Sequence, residues 1–252
     1  MSKIKAVFFD QDGVIIDTER DGHRVSFNMT FKEFGFTDEW SVEYYHELLQ
    51  IAGGKERMKQ HWKTKGFSKP MTEEEIDNLV KEMHKRKTAL FVELIETGKL
   101  PLRPGIHRFM KEAMDAGLKI AICTTSNEQA AKAITEKVLS DIKFDLVLAG
   151  DVVQKKKPDP EIYNLALSKL GLQPDEAFVV EDSKNGLTAA KAAELKTIVT
   201  TNHYTETEDV SKGDVIVSCL GDADGEKAEL RKGEIAEFDG VVHVNQVMEL
   251  FG

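Results

Sequence analysis

The stretch AVFFDQDGV, residues 6–14, decides the fold of this chain, because four apolar residues run directly into two acids placed two residues apart. The apolar run predicts a buried strand, and in open α/β sheets ligands bind at the carboxyl ends of the strands. The spacing of Asp10 and Asp12 lets one carboxylate attack an electrophile while the other moves a proton. Alone, such a pair would indicate an acidic turn after a strand, so the other strand ends are needed to decide.

Further apolar runs alternate with helical patterns along most of the chain. They predict strands over 119–123, 146–149, 177–180, 197–200 and 215–217, and helices over 105–116, 128–139, 160–170 and 186–193. This alternation predicts an α/β fold with a doubly wound parallel sheet covered by helices on both faces. Glu194 follows the last of these helices where glycine is usual, and we expect it to cost some stability there. A further edge strand is expected over 241–244.

The alternation stops between residues 17 and 100, where the periodicity is helical throughout. We therefore expect a core domain formed by 1–16 and 101–252 and an inserted helical domain formed by 17–100. The best helix of the insert begins with a capping box, Thr72 with Glu75. Lys87 falls on the apolar stripe of this helix, so it either extends outward to solvent, the commoner outcome, or points to an anion.

Composition excludes several classes of protein. The chain has 252 residues, 41% hydrophobic and 31% charged, which is typical of an ordinary soluble globular protein, and it lacks an apolar run of membrane-spanning length. A net charge of −10 argues against a nucleic-acid partner, although residues 54–90 carry ten basic and six acidic residues. Cys123 and Cys219 are too few for a disulfide framework, which indicates a reducing compartment. With a strand so near the first residue we expect no signal peptide, and a cytoplasmic location, or the plastid stroma if a transit peptide was removed.

Three other strand ends carry chemical groups. Hydroxyls and backbone N–H groups over 124–127 precede a helix, which is an arrangement that binds anions. Pro158 blocks a helical conformation at Lys157 and keeps that lysine in a turn near a strand end. Glu181 and Asp182 are adjacent acids at a strand tip, and a hard oxygen-seeking metal such as Mg²⁺ is their natural occupant.

In the order acids, hydroxyl, lysine, acids, these motifs resemble those of the haloacid dehalogenase superfamily over nearly the whole chain. The resemblance implies a Rossmann-like core with a helical cap. It implies that Asp10 is the nucleophile and Asp12 the general acid/base, with Thr124 and Lys157 as further catalytic residues. It also implies one Mg²⁺ bound by Asp10, the backbone carbonyl of Asp12, Glu181 and Asp182.

Segments 17–24, 53–58, 102–105 and 155–160 resemble the CbbY-like sugar-bisphosphate phosphatases within that superfamily. These enzymes hydrolyse xylulose-1,5-bisphosphate, an inhibitory by-product of Rubisco, to xylulose 5-phosphate. The resemblance implies a small phosphosugar substrate and supports a role for the basic insert in holding its second phosphate. We also expect a monomer. The candidate substrate-binding residues are Glu19, His23, Arg24, Gly54, Lys55, Arg57, Arg86, Lys87, Thr125, Ser126 and Asn127.

Other activities are also compatible with parts of this pattern. A β-phosphoglucomutase-like enzyme of the same superfamily would return the phosphate to the sugar, but its loop resembles Gly-Val-Ser-Arg, whereas residues 53–57 read GGKER. A dehalogenase would need neither Asp12 nor the metal-suited acids 181–182. A noncatalytic phosphosugar sensor or phospho-acceptor receiver would not need Asp12, Lys157 and a basic insert together.

Overall fold

The structure, a computed structural model, describes residues 3–51, 53–98, 100–126 and 128–252. The chain divides into two compact units. Met1–Asp17 and Pro101–Gly252 form an α/β unit, and Thr18–Leu100 form a helical unit. The strands of the α/β unit are β1 (Ala6–Phe9), β2 (Lys119–Cys123), β3 (Leu146–Leu148), β4 (Ala177–Glu181), β5 (Lys196–Thr200), β6 (Val215–Val217) and β7 (Leu230–Lys232).

The strands form one sheet in the order β3-β2-β1-β4-β5-β6-β7, and every neighbouring pair is parallel except β6 and β7. This confirms the predicted α/β class and doubly wound sheet. β1 lies between β2 and β4, with Phe9 in register with Ile122 and Val180. Because these three strands are parallel, the residues that follow them meet at one edge of the sheet.

Helices cover both faces of this sheet. They are α5 (Ile106–Asp115), α6 (Glu128–Ala133), α7 (Glu161–Leu170), α8 (Lys184–Ala192) and α9 (Val244–Phe251). Phe8 belongs to a buried cluster that includes Ile162 on α7 and Ala189 on α8. On the opposite side of the pleat, the Phe9 ring lies 6.2 Å from that of Phe109 on α5. The alternation of Phe8 and Phe9 thus buries both faces of β1, as a continuous apolar run requires.

One expectation for this unit is wrong. Residues 241–244 are not a strand: α9 begins at Val244, and the His243 N–H donates to Gln246 Oε1 at 2.9 Å, which favours a helix start. The edge strand is instead β7, which pairs antiparallel to β6. The helix expected over 128–139 is present over nearly all of that range, with α6 passing into a π-helical turn at Ile134–Val138.

The helical unit begins with a π-helical turn, Thr18–His23, and continues with α1 (Arg24–Glu33), α2 (Val42–Leu49), α3 (Gly54–Thr64) and α4 (Glu73–Glu96). The capping box at α4 is confirmed, because Glu75 N–H donates to Thr72 Oγ1 and Thr72 N–H to Glu75 Oε2. Lys87 does not extend to solvent as the commoner outcome would require, since it is only 6% exposed. No described helix is both long and apolar enough to cross a membrane.

Candidate active site

The site of the α/β unit is built around one lysine held between two carboxylates. Asp10 follows β1, and its N–H donates to Val180 O of β4 at 3.0 Å. Lys157 Nζ lies 2.7 Å from Asp10 Oδ1 and 2.6 Å from Glu181 Oε1. The Tyr163 hydroxyl on α7 donates to the same Glu181 oxygen. The structure therefore brings residues of three predicted motifs into direct contact, namely Asp10, Lys157 and Glu181.

Negative charge exceeds positive charge in this buried cluster. Carboxylate oxygens of Asp10, Glu181 and Asp182 lie within 4.8 Å of one another, and all three residues are buried. Burial, reinforced by the charges of Glu181 and Asp12, raises the pKa of Asp10 to about 7 against the lowering effect of Lys157. Burial, and then the charges of Glu181 and Asp10, raise the pKa of Asp182 well above its usual value. Hard oxygen donors crowded in this way fit a divalent cation, which would offset their repulsion.

Lys157 stays a cation in this environment. Burial alone would lower its pKa, but the adjacent carboxylates of Asp10 and Glu181 raise the pKa above the usual lysine value. The ammonium can therefore neutralise part of the charge on an incoming phosphate.

Asp182 is fixed by residues that the sequence motifs did not identify. Asn202 Nδ2 donates to Asp182 Oδ2 at 2.7 Å, and Asn202 Oδ1 accepts from Tyr204 N at 2.9 Å. On the other side Gly13 has a φ of +80°, and a Cβ at this position would lie 2.0 Å from Asp182 Oδ2. Asn202 could have been suspected as a polar residue just after β5, and Tyr163 from its place in the first turn of the helix after Pro160.

Asp12 contacts the loop that follows β2. The Ser126 hydroxyl hydrogen-bonds Asp12 Oδ2, and Ser126 N–H donates to Thr124 Oγ1 at 3.1 Å. Thr125 lines an open polar cavity of about 590 Å³ together with Gly150 and Lys156. Asn127, the last predicted residue of this loop, lies outside the described residues.

The helical unit contains a second cluster, which we call the Lys87 cluster: Glu19, His23, Arg57 and Lys87. Lys87 Nζ lies 2.6 Å from His23 Nδ1 and 5.0 Å from the centre of the Phe91 ring. Burial lowers the pKa of Lys87 to about 8, although Glu19 acts in the opposite direction. Burial and then the charge of Lys87 hold the pKa of His23 well below its usual value, so the neutral imidazole accepts from the lysine.

Arg57 completes this cluster through Tyr45. Arg57 Nη1 donates to the Tyr45 hydroxyl at 3.1 Å, and that hydroxyl donates to Glu19 Oε2 at 2.6 Å. The Arg57 guanidinium also lies 3.8 Å from the same carboxylate oxygen. Four of the predicted substrate residues are thus grouped within the helical unit.

The other predicted residues of this unit are placed differently. Arg24 donates to the backbone oxygens of Trp40 and Arg20, and exposed Arg86 forms a two-bond ion pair with Glu33 at 2.6 and 2.7 Å. Lys55 is exposed near the start of α3. Gly54 begins that helix, and a Cβ there would meet the His84 ring at 3.0 Å.

Comparison with known proteins agrees with this geometry. The family described as haloacid dehalogenase-like hydrolase matches residues 4–194. The chain belongs to the haloacid dehalogenase-like hydrolase family. It is 48% identical to a CBBY-like protein of Arabidopsis thaliana over 89% of this chain and 72% of that protein. It is 31% identical to a phosphorylated carbohydrates phosphatase of Thermotoga maritima, over 77% of this chain and 84% of that protein.

A solved structure resembles this hydrolase at the level of the fold as well. It is a mutant of CbbY from Rhodobacter sphaeroides in complex with xylulose-1,5-bisphosphate, with a TM-score of 0.66 and 37% sequence identity. The match covers 86% of this chain and 94% of the CbbY chain. The predicted resemblance is therefore confirmed: this haloacid dehalogenase-like hydrolase is a CbbY-like phosphatase.

Proposed function

We propose that this phosphatase is a Mg²⁺-dependent sugar-bisphosphate phosphatase that converts xylulose-1,5-bisphosphate to xylulose 5-phosphate through an aspartyl phosphate. The observation that carries the proposal is the buried cluster in which Lys157 contacts Asp10 and Glu181 beside Asp182. The substrate is suggested by the bisphosphate named for the CbbY complex.

Asp10 acts as the nucleophile in this mechanism. Its carboxylate attacks phosphorus, and Lys157 offsets the negative charge that otherwise repels a phosphate dianion. Asp12, held by the Ser126 hydroxyl, protonates the leaving sugar oxygen and then takes a proton from the water that hydrolyses the aspartyl phosphate. The Thr124 hydroxyl and the loop that follows β2 bind the phosphoryl oxygens.

The metal would be held by Asp10, Asp182 and the backbone carbonyl of Asp12. Mg²⁺ prefers oxygen ligands and supplies positive charge beside the phosphoryl group when bound. Glu181 already accepts from Lys157, Tyr163 and the backbone N–H of Asp182. We therefore assign Glu181 mainly to the placement of Lys157, with an outer position around the metal.

The second phosphate is proposed to bind cations of the helical unit. A second dianion needs positive charge of its own, and Lys87 and Arg57 provide it, with Lys55 at the start of α3 and Glu19 and His23 orienting the group. Arg24 and Arg86 are left out of this proposal because their contacts, with Trp40 O and with Glu33, lie outside the Lys87 cluster.

The first test is a phosphate-release screen with Mg²⁺ over sugar monophosphates and bisphosphates. We expect the highest kcat/KM with xylulose-1,5-bisphosphate. A rearranged sugar phosphate without release of inorganic phosphate would indicate a mutase instead. Binding without turnover would indicate a sensor. A preference for monophosphates would contradict the bisphosphate assignment.

The second test compares two neighbouring residues of α4. Lys87→Ala should lower kcat/KM for the bisphosphate about ten- to a hundredfold, because a charge-assisted contact is worth roughly 1.5 to 3 kcal/mol. Its effect on the matching monophosphate should be small. Arg86→Ala is the matched control, and it should leave both values near those of the wild type. Equal losses of Lys87→Ala on both substrates would contradict recognition of the second phosphate.

A further inference from the structure

Arg103 connects three loops of the α/β unit through its guanidinium. Nη1 donates to Gly13 O and to Thr200 O, the latter at 2.8 Å. Nη2 donates to Thr201 O and Ser218 O, both at 2.8 Å. The acceptors lie at the end of β5 or just after β1, β5 and β6, so one side chain holds three strand ends together.

Two of these loops lead to the metal-site carboxylate Asp182. Gly13 packs against Asp182 so closely that a Cβ would lie 2.0 Å from its Oδ2. Thr201 directly precedes Asn202, whose amide donates to that same oxygen at 2.7 Å. Because Gly13 also directly follows Asp12, displacement of the Gly13 carbonyl would move both Asp12 and Asp182.

The geometry of arginine is specific to this arrangement. Its planar guanidinium presents donors in several fixed directions, whereas a lysine ammonium has three donors on a flexible stem. The backbone of Arg103 also contacts the segment that follows β1, since its N–H donates to Ile15 O at 2.9 Å. Replacement by lysine would keep the charge but lose the simultaneous bonds to Gly13, Thr200 and Thr201.

We propose that Arg103 is a positioning residue that holds Asp182 and the Asp12–Gly13 loop in the geometry needed for metal binding and phosphoryl transfer. The inference rests on the proposed function only in that it requires a metal site at Asp10 and Asp182. Arg103 acts through Gly13, Thr201 and Asn202.

Arg108 on α5 provides a matched control in the same unit. Its guanidinium also donates to several backbone oxygens, with Nη2 2.7 Å from Gly221 O and 3.1 Å from Val242 O. It further bonds Glu112 Oε1 at 2.7 Å. These partners lie on α5 and in the segments around 221 and 242, and not in the loops after β1, β4 or β5. The two arginines therefore both donate to several backbone oxygens, but the oxygens that Arg103 binds lie in loops that lead to Asp182, whereas those that Arg108 binds do not.

The experiment compares Arg103→Lys with Arg108→Lys. Binding of Mn²⁺ alone to the chelator-treated protein is followed by electron paramagnetic resonance, and kcat and KM are measured separately. We expect Arg103→Lys to raise the Mn²⁺ Kd about ten- to a hundredfold, the usual effect of losing a group that orients metal ligands. Its kcat should fall while KM for the phosphosugar changes less. Arg108→Lys should lower the melting temperature but leave the Mn²⁺ Kd within about twofold, since its partners are outside the metal site.

Similar losses of melting temperature in both variants, with unchanged Mn²⁺ Kd and kcat, would overturn the proposal. If Arg103→Lys does not fold, Arg103→Gln is measured in its place, and failure of both to fold would assign Arg103 to stability alone and overturn the proposal as well. Absence of Mn²⁺ binding or phosphatase activity in the wild type would instead contradict the proposed function, so the two failures are distinguishable.

Discussion

At the scale of single residues, Glu194 adopts a backbone conformation that is unfavourable for a residue with a Cβ. It follows α8 with a φ of +61°, and Leu195 N–H donates to Ala190 O at 3.0 Å, which are features of a left-handed helix end. Glu194→Gly should raise the free energy of unfolding by about 1 kcal/mol because glycine adopts this conformation without a clash. Chemical denaturation measures the gain. Glu194→Ala is the control that removes the charge but keeps the Cβ, and an equal gain there would contradict a backbone cause.

The two acids after β1 should respond differently to loss of charge. Asp12→Asn should lower kcat about 10²- to 10⁴-fold, because a positioned acid/base contributes about that much. Asp10→Asn should abolish turnover, since an amide is a poor nucleophile. Initial rates of phosphate release measure both, with melting temperatures as the control for folding. Near-normal turnover in Asp10→Asn would refute its assignment as the nucleophile.

At the scale of elements, the sequence predicted the central strands better than the edge of the sheet. β1, β2 and β4 are buried on both faces, so each appears as a continuous apolar run. β7 has the sequence Leu-Arg-Lys, and its conformation depends on pairing with β6, which local sequence does not reveal. The opposite error arose at 241–244, where apolar residues precede α9.

The same distinction applies to the site. Asp10, Lys157, Glu181 and Asp182 lie at strand ends or beside a proline that fixes the turn, so their convergence was predictable from spacing and topology. Asn202 belongs to a different kind of segment, a turn whose approach to Asp182 depends on the whole sheet. Residues that position another side chain, as Asn202 does for Asp182, are therefore hard to recognise from local sequence.

Helix α4 makes stability depend on pH through Lys87. Its pKa falls from 10.5 to about 8 on folding, so the folded state disfavours the ammonium. This cost, roughly 3 kcal/mol, is fully present below pH 8 and declines as the pH rises towards 10.5. Lys87→Met should therefore stabilise the protein most at pH 7, and more than half of this pH-dependent gain should be lost by pH 9.5.

Urea denaturation at the two pH values measures this effect. Lys85→Met, on the exposed face of the same helix, is the matched control, and its effect on stability should vary little with pH. A gain from Lys87→Met that is equal at both pH values would show that it arises from packing rather than from charge.

At the scale of the whole molecule, removal of divalent cations should affect both stability and activity. The crowded carboxylates of Asp10, Glu181 and Asp182 repel one another, and a bound cation offsets this repulsion. Adding Mg²⁺ at a hundred times its Kd should stabilise the chelator-treated protein by about 2.7 kcal/mol and restore phosphate release. Calorimetry measures the shift in melting temperature. Asp182→Asn should lose most of that shift, and an unchanged melting temperature in the wild type would contradict a metal site.

The position of β1 at the centre of the sheet also determines the order in which the chain can fold. Its partners β2 and β4 begin at residues 119 and 177, so a ribosome releases this apolar strand long before either neighbour exists. The helical unit is contiguous in sequence and is complete earlier. Contacts between distant residues form slowly, and exposed apolar strands aggregate. During synthesis, therefore, the strand that leads to Asp10 is made before both of its partner strands and stays unpaired until they have followed it.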